Sequence, residues 1–289
     1  MSMLGKLVDI LQTDLLQPRS GAEAPARNPG LDQVVRVCGD SLAAAKNMEA
    51  TLTPALDYAI RYFDTQVRAI PGAFGLSISR HPDEPFLARH FPAREDVTAA
   101  LGRSVEVKEA LPALAPEREG HVYAVLGMRI KPGAAEGGHP LFADHTLRCL
   151  AMNEADSRAG LRQAALSRLL HAFKDHTDKL RKAGKLLRVE WTLGKEAPPQ
   201  GVAAGSFIHA EEELTPDNLV KGLVSWLKSP SEFLRIDTTD ALGGEGGPVL
   251  PVMHSADTRK WLVCQVKFSA TEGMEALKRE TRVHRYMLI

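Results

Sequence analysis

Four segments of the sequence alternate apolar and polar residues with a period of two, and this pattern constrains the fold more than any other feature. The segments are 74–79, 121–130, 187–193 and 262–268. Successive side chains of a β-strand point to opposite faces, so this period predicts strands with one buried and one wetter face. It favours an antiparallel or mixed sheet over a parallel sheet that is buried on both faces. Shorter candidate strands are 105–107, 233–236, 283–288 and a stretch after Pro248.

Three other segments repeat apolar residues every three or four positions, which is the period of an amphipathic helix. Residues 31–70 predict two packed helices or one kinked helix, with Thr53 capping the second because Pro54 fits a first turn. The strongest helix is predicted over 154–183 and ends at Gly184, and another follows Thr215 over 216–228. Together these segments predict an α+β fold, with a mostly antiparallel or mixed sheet and packed helices, preceded by a helical N-terminal segment.

The N-terminal residues differ in pattern from the rest of the chain. Residues 1–16 predict an amphipathic helix, whose apolar face comprises Leu4, Leu7, Val8, Leu11 and Leu15. Residues 17–30 contain three prolines and two glycines and predict a flexible linker. The expected organisation is therefore helix 1–16, linker 17–30 and a single α+β body over 31–289 with a helical start at 31–70. Docking of the N-terminal helix on its own body and docking on another chain both stay open.

Charge and cysteine usage exclude several classes of protein. The chain has 36 Lys and Arg against 36 Asp and Glu, which argues against attraction of the whole molecule to nucleic acid or an anionic membrane. No stretch of 18 consecutive apolar residues is present, so no membrane insertion is expected. Cys38, Cys149 and Cys264 are too far apart in sequence for a zinc or redox motif. With no signal-peptide pattern at the N-terminus, we expect a soluble cytoplasmic protein.

Known catalytic and phosphate-binding motifs do not match. The glycine-rich stretch 243–248, GGEGGP, lacks the Lys and Ser or Thr of a phosphate loop and the GxGxxG spacing of a dinucleotide loop. Neither GxSxG, HExxH nor an EF-hand loop occurs. No cofactor is therefore predicted, and the sequence does not decide whether the protein is an enzyme.

The best candidate for a catalytic or binding segment is 80–96, RHPDEPFLARHFPARED. Titratable side chains on a constrained connection are typical of functional loops, although they are also typical of plain solvent-facing linkage. The candidate catalytic residues are His81, Asp83, His90 and Glu95. A weaker cluster comprises His139, Asp144 and His145.

The candidate metal ligands are His171, Asp175 and Asp178. Their spacing of four and three residues places them on one face of the helix predicted over 154–183, where they could converge. That face also contains Arg168 and Lys182, and a solvated charged face is the competing interpretation.

These patterns favour an adaptor or regulatory protein that acts through protein–protein contacts, with the tethered N-terminal helix as a second contact. The alternative is a hydrolase-like or metal-assisted enzyme with its site on the 80–96 segment. A protein partner is expected, and nucleic acid is not, because basic stretches at 179–188 and 278–285 lack interleaved aromatics. Lysines in 179–188 are explained by a helix C-terminus. Homo-oligomer formation stays open.

Overall fold

The structure, a computed structural model, describes residues 29–116, 119–131, 142–193, 212–238, 249–255 and 259–286. The predicted helix 1–16, most of the linker 17–30, His139 and the 243–248 stretch lie outside these ranges. The chain forms two compact units. The sheet unit contains the described residues of Asp64–Ala164 and Leu234–Ile289, and the helical unit contains those of Ser20–Phe63 and Ala165–Phe233.

The described residues form eight α-helices and six strands. The helices are α1 Pro29–Cys38, α2 Met48–Arg68, α3 Pro85–His90, α4 Arg94–Arg103, α5 Val105–Leu114, α6 Glu154–Leu193, α7 Pro216–Leu227 and α8 Ala270–Tyr286, with a 3-10 turn at Pro230–Glu232. The strands are β1 Phe74–Gly75, β2 His121–Ile130, β3 Phe142–Ala151, β4 Leu234–Asp237, β5 Val252–Ser255 and β6 Lys260–Ser269.

The strands form one sheet in the order β3-β2-β6-β5-β4, in which all neighbours are antiparallel. The short strand β1 adds a parallel pair with β6. The prediction of an α+β fold with a mostly antiparallel or mixed sheet is confirmed.

Both faces of the sheet are covered within the sheet unit. One face presents alternate residues of β2 and β6, such as Leu126 and Cys264, to a core shared with α4, α5 and α8. The opposite face places Val263 against Ile70, with Leu161 of α6 packed beside them. The period of two in β2 and β6 therefore arises because alternate side chains enter the larger core.

The helical unit is held together by the apolar faces of its helices. Leu31 and Val34 of α1 are buried, and the Cys38 Sγ lies 3.7 Å from the Leu170 carbonyl oxygen of α6. Phe173 of α6 meets Trp226 of α7 edge to face, with ring centroids 5.6 Å apart. The predicted amphipathic periodicity of these segments is confirmed.

The strand predicted over 187–193 is wrong, because α6 continues through it to Leu193. Leu, Arg and Glu in this stretch have high helix propensity, and a single glycine at position 184 costs a helix only about 1 kcal/mol. Four apolar residues in seven are too few to distinguish a strand from a helix by period alone.

The strands predicted at 105–107 and 283–288 are also wrong where the structure describes them. Residues 105–107 begin α5, and residues 283–286 belong to the end of α8. The helix predicted to start behind Thr53 instead starts at Met48 and runs through Pro54. Proline costs about 3 kcal/mol in a helix interior, and the buried Leu52 and Leu56 on either side of it supply packing that offsets this cost.

Candidate functional site

The segment predicted as the best candidate contains α3 and the start of α4. The His81 Nε2–H donates a hydrogen bond to the Phe91 carbonyl oxygen at 2.8 Å, and the His90 Nδ1–H donates to the Phe86 carbonyl oxygen at 2.9 Å. A carbonyl can only accept, so these contacts fix which ring nitrogen is protonated. Two of the predicted histidines thus hydrogen-bond carbonyl oxygens in the first turn of α3 and directly after its last residue.

The structure adds His145 to this cluster. Its Nε2–H donates to the His90 carbonyl oxygen at 2.9 Å, and its ring stacks on Phe91 with centroids 4.5 Å apart. Phe86 and Phe142 flank the ring of His90. The sequence groups His145 in a weak cluster with His139 and Asp144, and in the structure Asp144 forms an ion pair with Arg129 at 2.6 Å.

Burial governs the titration of both histidines. It lowers the pKa of His90 below the ordinary value, with nearby Arg89 and His145 acting in the same direction. Burial also lowers the pKa of His145, against the opposing influence of Asp96 and Asp144. Both rings are therefore held neutral inside an aromatic cluster.

The predicted acidic partners lie in a different environment. His90 is 1% exposed, whereas Asp83 and Glu95 are exposed to solvent. Asp96, beside Glu95, accepts a hydrogen bond from the Ala93 N–H at 2.9 Å and thereby caps α4. The buried histidines and the exposed carboxylates therefore do not share one environment, and the arrangement serves packing and capping.

The candidate metal ligands on α6 are engaged separately. The His171 Nδ1–H donates to the Ser167 carbonyl oxygen at 2.7 Å, Asp178 pairs with Arg181 at 2.9 Å, and Asp175 is exposed. Within the ranges that the structure describes, no group of three or more His, Cys, Asp and Glu side chains is placed to hold a metal ion.

The cysteines are placed unfavourably for nucleophilic chemistry. Burial raises the pKa of the Cys38 thiol to about 12, and burial also raises the pKa of Cys149 and of Cys264. The thiolate is the reactive form, so a raised pKa leaves these thiols inert near neutral pH.

On both edge strands of the sheet, side-chain oxygens accept hydrogen bonds from backbone N–H groups that point away from the neighbouring strand. On β3, the Leu147 N–H donates to Ser104 Oγ at 2.9 Å, and the Leu150 N–H donates to Glu106 Oε1 at 3.1 Å. Glu106 also accepts from the Cys149 N–H at a bulge in β3, and burial raises the pKa of its carboxyl group. On β4, the Ile236 N–H donates to Gln66 Oε1 at 2.6 Å. Occupied amides of this kind obstruct the addition of a further strand.

A second feature of α6 was missed by sequence analysis. The helix exposes Leu186 (66%) and Val189 (53%) in the helical unit, and these residues lie about 60° apart around the helix axis. Three exposed lysines lie on the N-terminal side of this pair, namely Lys179, Lys182 and Lys185. We call these five residues the lysine-ringed face.

The position of this face corrects the interpretation of the basic stretch at 179–188. The effect of the helix dipole on side chains falls off within the last turn. Because α6 ends at Leu193, Lys179 and Lys182 lie at least two turns before its end, and its last turn contains no basic residue. The helix dipole therefore does not account for these lysines.

Comparison with protein-family models, curated proteins and solved structures found no significant match for this chain. In the part of the chain that the structure describes, none of the helices combines the length and apolarity needed to cross a membrane.

Proposed function

We propose that this protein is a cytoplasmic adaptor or regulatory protein that acts through protein–protein contacts, with the lysine-ringed face of α6 as a contact surface. The observation that carries the proposal is the exposure of Leu186 and Val189 on a helix whose earlier turns bury their apolar residues. In α6, Leu166, Leu169 and Phe173 are at most 3% exposed. Adjacent exposed aliphatics with a polar rim are typical of interaction sites.

The edges of the sheet support a helical rather than a strand-mediated contact. Ser104 and Glu106 occupy amides on the outer side of β3, and Gln66 occupies one on β4. Peptides that bind by strand addition need unoccupied backbone groups along an edge. The helix face offers its side chains without displacing such bonds.

The test is affinity capture from cells, followed by mass spectrometry. The variant combines Leu186→Asp and Val189→Asp, and its matched control is Val249→Asp, because Val249 is 60% exposed but lies in the sheet unit. We expect the double variant to lose interacting proteins that the wild type and the control retain. Identical sets of interacting proteins for all three would refute the proposal, provided that circular dichroism shows equal folding.

The predicted helix 1–16 is the second proposed contact. A chain lacking residues 1–28 should lose some interacting proteins or change its oligomeric state, whereas the α6 face should still bind the remainder. Unchanged partners together with an unchanged oligomeric state would remove the N-terminal helix from the proposal.

A further inference from the structure

We infer that the lysine-ringed face binds an acidic amphipathic helix of another protein, an inference that rests on the proposed function. The two aliphatic residues form a narrow stripe. Leu186 and Val189 are three residues apart, and Lys182 and Lys179 continue the same line at spacings of four and three towards the N-terminus. Spacing by three and four residues is that of a seam between two packed helices.

Charge selects the chemistry of the partner. Lys179 and Lys182 are exposed along the line of the stripe and Lys185 is exposed on one side of it, while Asp178 nearby is already paired with Arg181 at 2.9 Å. Among the α6 side chains that the structure describes, Asp175 is exposed on this side of the helix but lies more than two turns from Leu186, and the sequence places one nearer acid, Glu190, after three lysines. A helix that packs leucines against Leu186 and Val189, and that carries glutamates within reach of Lys179 and Lys182 along the stripe and of Lys185 beside it, would meet three cations.

The same charges disfavour a second copy of this chain, because a second such face would bring three further lysines to the contact. The narrow apolar stripe also argues against a lipid surface as the binding partner. Helices that lie in a membrane interface use a wide apolar face with bulky residues, whereas the described side chains of this face include two aliphatic ones and no aromatic one. Single-stranded nucleic acid would require aromatic stacking, which the face does not provide.

The test measures binding of the full-length protein to a designed helical peptide by fluorescence anisotropy. The peptide has leucine at heptad positions a and d and glutamate at e and g, and the comparison peptide has lysine in place of glutamate. We expect saturable binding of the acidic peptide that weakens as salt is raised, and weaker binding of the basic peptide.

Two pairs of charge reversals test the site. Lys182→Glu with Lys185→Glu should weaken binding of the acidic peptide about tenfold or more, since each reversal replaces an attraction by a repulsion. Lys108→Glu with Lys228→Glu changes two exposed lysines outside the face and should leave binding within about twofold. Equal losses in both variants, or no saturable binding of the acidic peptide, would overturn the inference.

Vesicles of phosphatidylcholine with and without phosphatidylserine, and a single-stranded oligonucleotide, complete the comparison. The inference would be overturned if the vesicles or the oligonucleotide bind more tightly than the acidic peptide and this binding is lost in the Lys182→Glu, Lys185→Glu variant. The face would then be assigned to lipid or to nucleic acid. If the acidic peptide does not bind, but the Leu186→Asp, Val189→Asp variant still loses captured proteins, the inference is wrong and the proposed function stands. If both fail, the face is not a docking surface.

Discussion

Replacement of Ser104 by alanine tests how the edge of the sheet is closed. Ser104 is 4% exposed and lies between α4 and α5. Its hydroxyl accepts a hydrogen bond from the Leu147 N–H at 2.9 Å and donates one to the Ala100 carbonyl oxygen at 2.6 Å. Alanine removes both bonds while leaving the backbone of β3 in place.

The expected cost follows from the buried amide that loses its acceptor. Leu147 is fully buried, so its N–H would be left without the partner that it has in the folded protein. An unsatisfied buried donor costs about 1–3 kcal/mol, whereas the net value of an ordinary hydrogen bond is about 1 kcal/mol. The Ser104→Ala variant should therefore lose about 1–3 kcal/mol of unfolding free energy.

Urea unfolding and amide hydrogen exchange measure this effect. The matched control is Ser225→Ala, the same change at an exposed position of α7, which should alter stability by less than about 0.5 kcal/mol. The Leu147 amide should exchange faster in the Ser104→Ala variant than in the control. Equal stability of the two variants, with unchanged exchange at Leu147, would refute the assignment of Ser104 as the group that closes this edge.

Two further predictions concern the histidine cluster and helix packing. Burial lowers the pKa of His145, so the unfolded state takes up a proton at higher pH than the folded state does, and the free energy of unfolding should fall as pH falls below about 6.5. The His145→Phe variant should show a weaker pH dependence in urea unfolding measured from pH 8 to 5. Parallel curves for the variant and the wild type would contradict this prediction. Gly102→Ala would place its Cβ 2.8 Å from the Ala276 carbonyl oxygen and 2.5 Å from the Glu280 Cγ, costing about 1–3 kcal/mol. Gly222→Ala would place its Cβ at an ordinary contact distance of 3.5 Å from Phe173, and the free energy of unfolding should rise by up to about 1 kcal/mol. Equal destabilisation by the two glycine replacements would show that close packing is not the cause.

The strands that sequence predicted well are those with a long alternation. In β2 and β6, alternate residues such as Val122 and Phe268 all enter one core, so the period of two extends across most of each strand. β3 was not predicted, because its residues 142–151 alternate poorly and the bulge near Cys149 shifts the pairing. Glu106 binds the amides released there, a long-range contact that local pattern does not reveal.

The lysine-ringed face was missed because of one wrong boundary. Gly184 predicts a helix end and the short alternation over 187–193 predicts a strand, which places Val189 in a sheet and leaves Leu186 between the two elements. The spacing of Lys179, Lys182, Leu186 and Val189 by three and four residues continues across Gly184, and it was the signal that could have found the face. The candidate histidines were predicted as titratable groups, but their carbonyl partners depend on the fold of α3.

Site-specific photo-crosslinking tests the proposed contact surface most directly. A photoreactive amino acid replaces Val189 in the full-length protein, and a control replaces Lys228, which is also exposed in the helical unit. If α6 binds another protein through this face, irradiation of cells should give discrete higher-mass adducts from position 189 that the control lacks, and Lys182→Glu with Lys185→Glu should reduce their yield. Adducts that are equal at both positions, or none at position 189, would contradict the account.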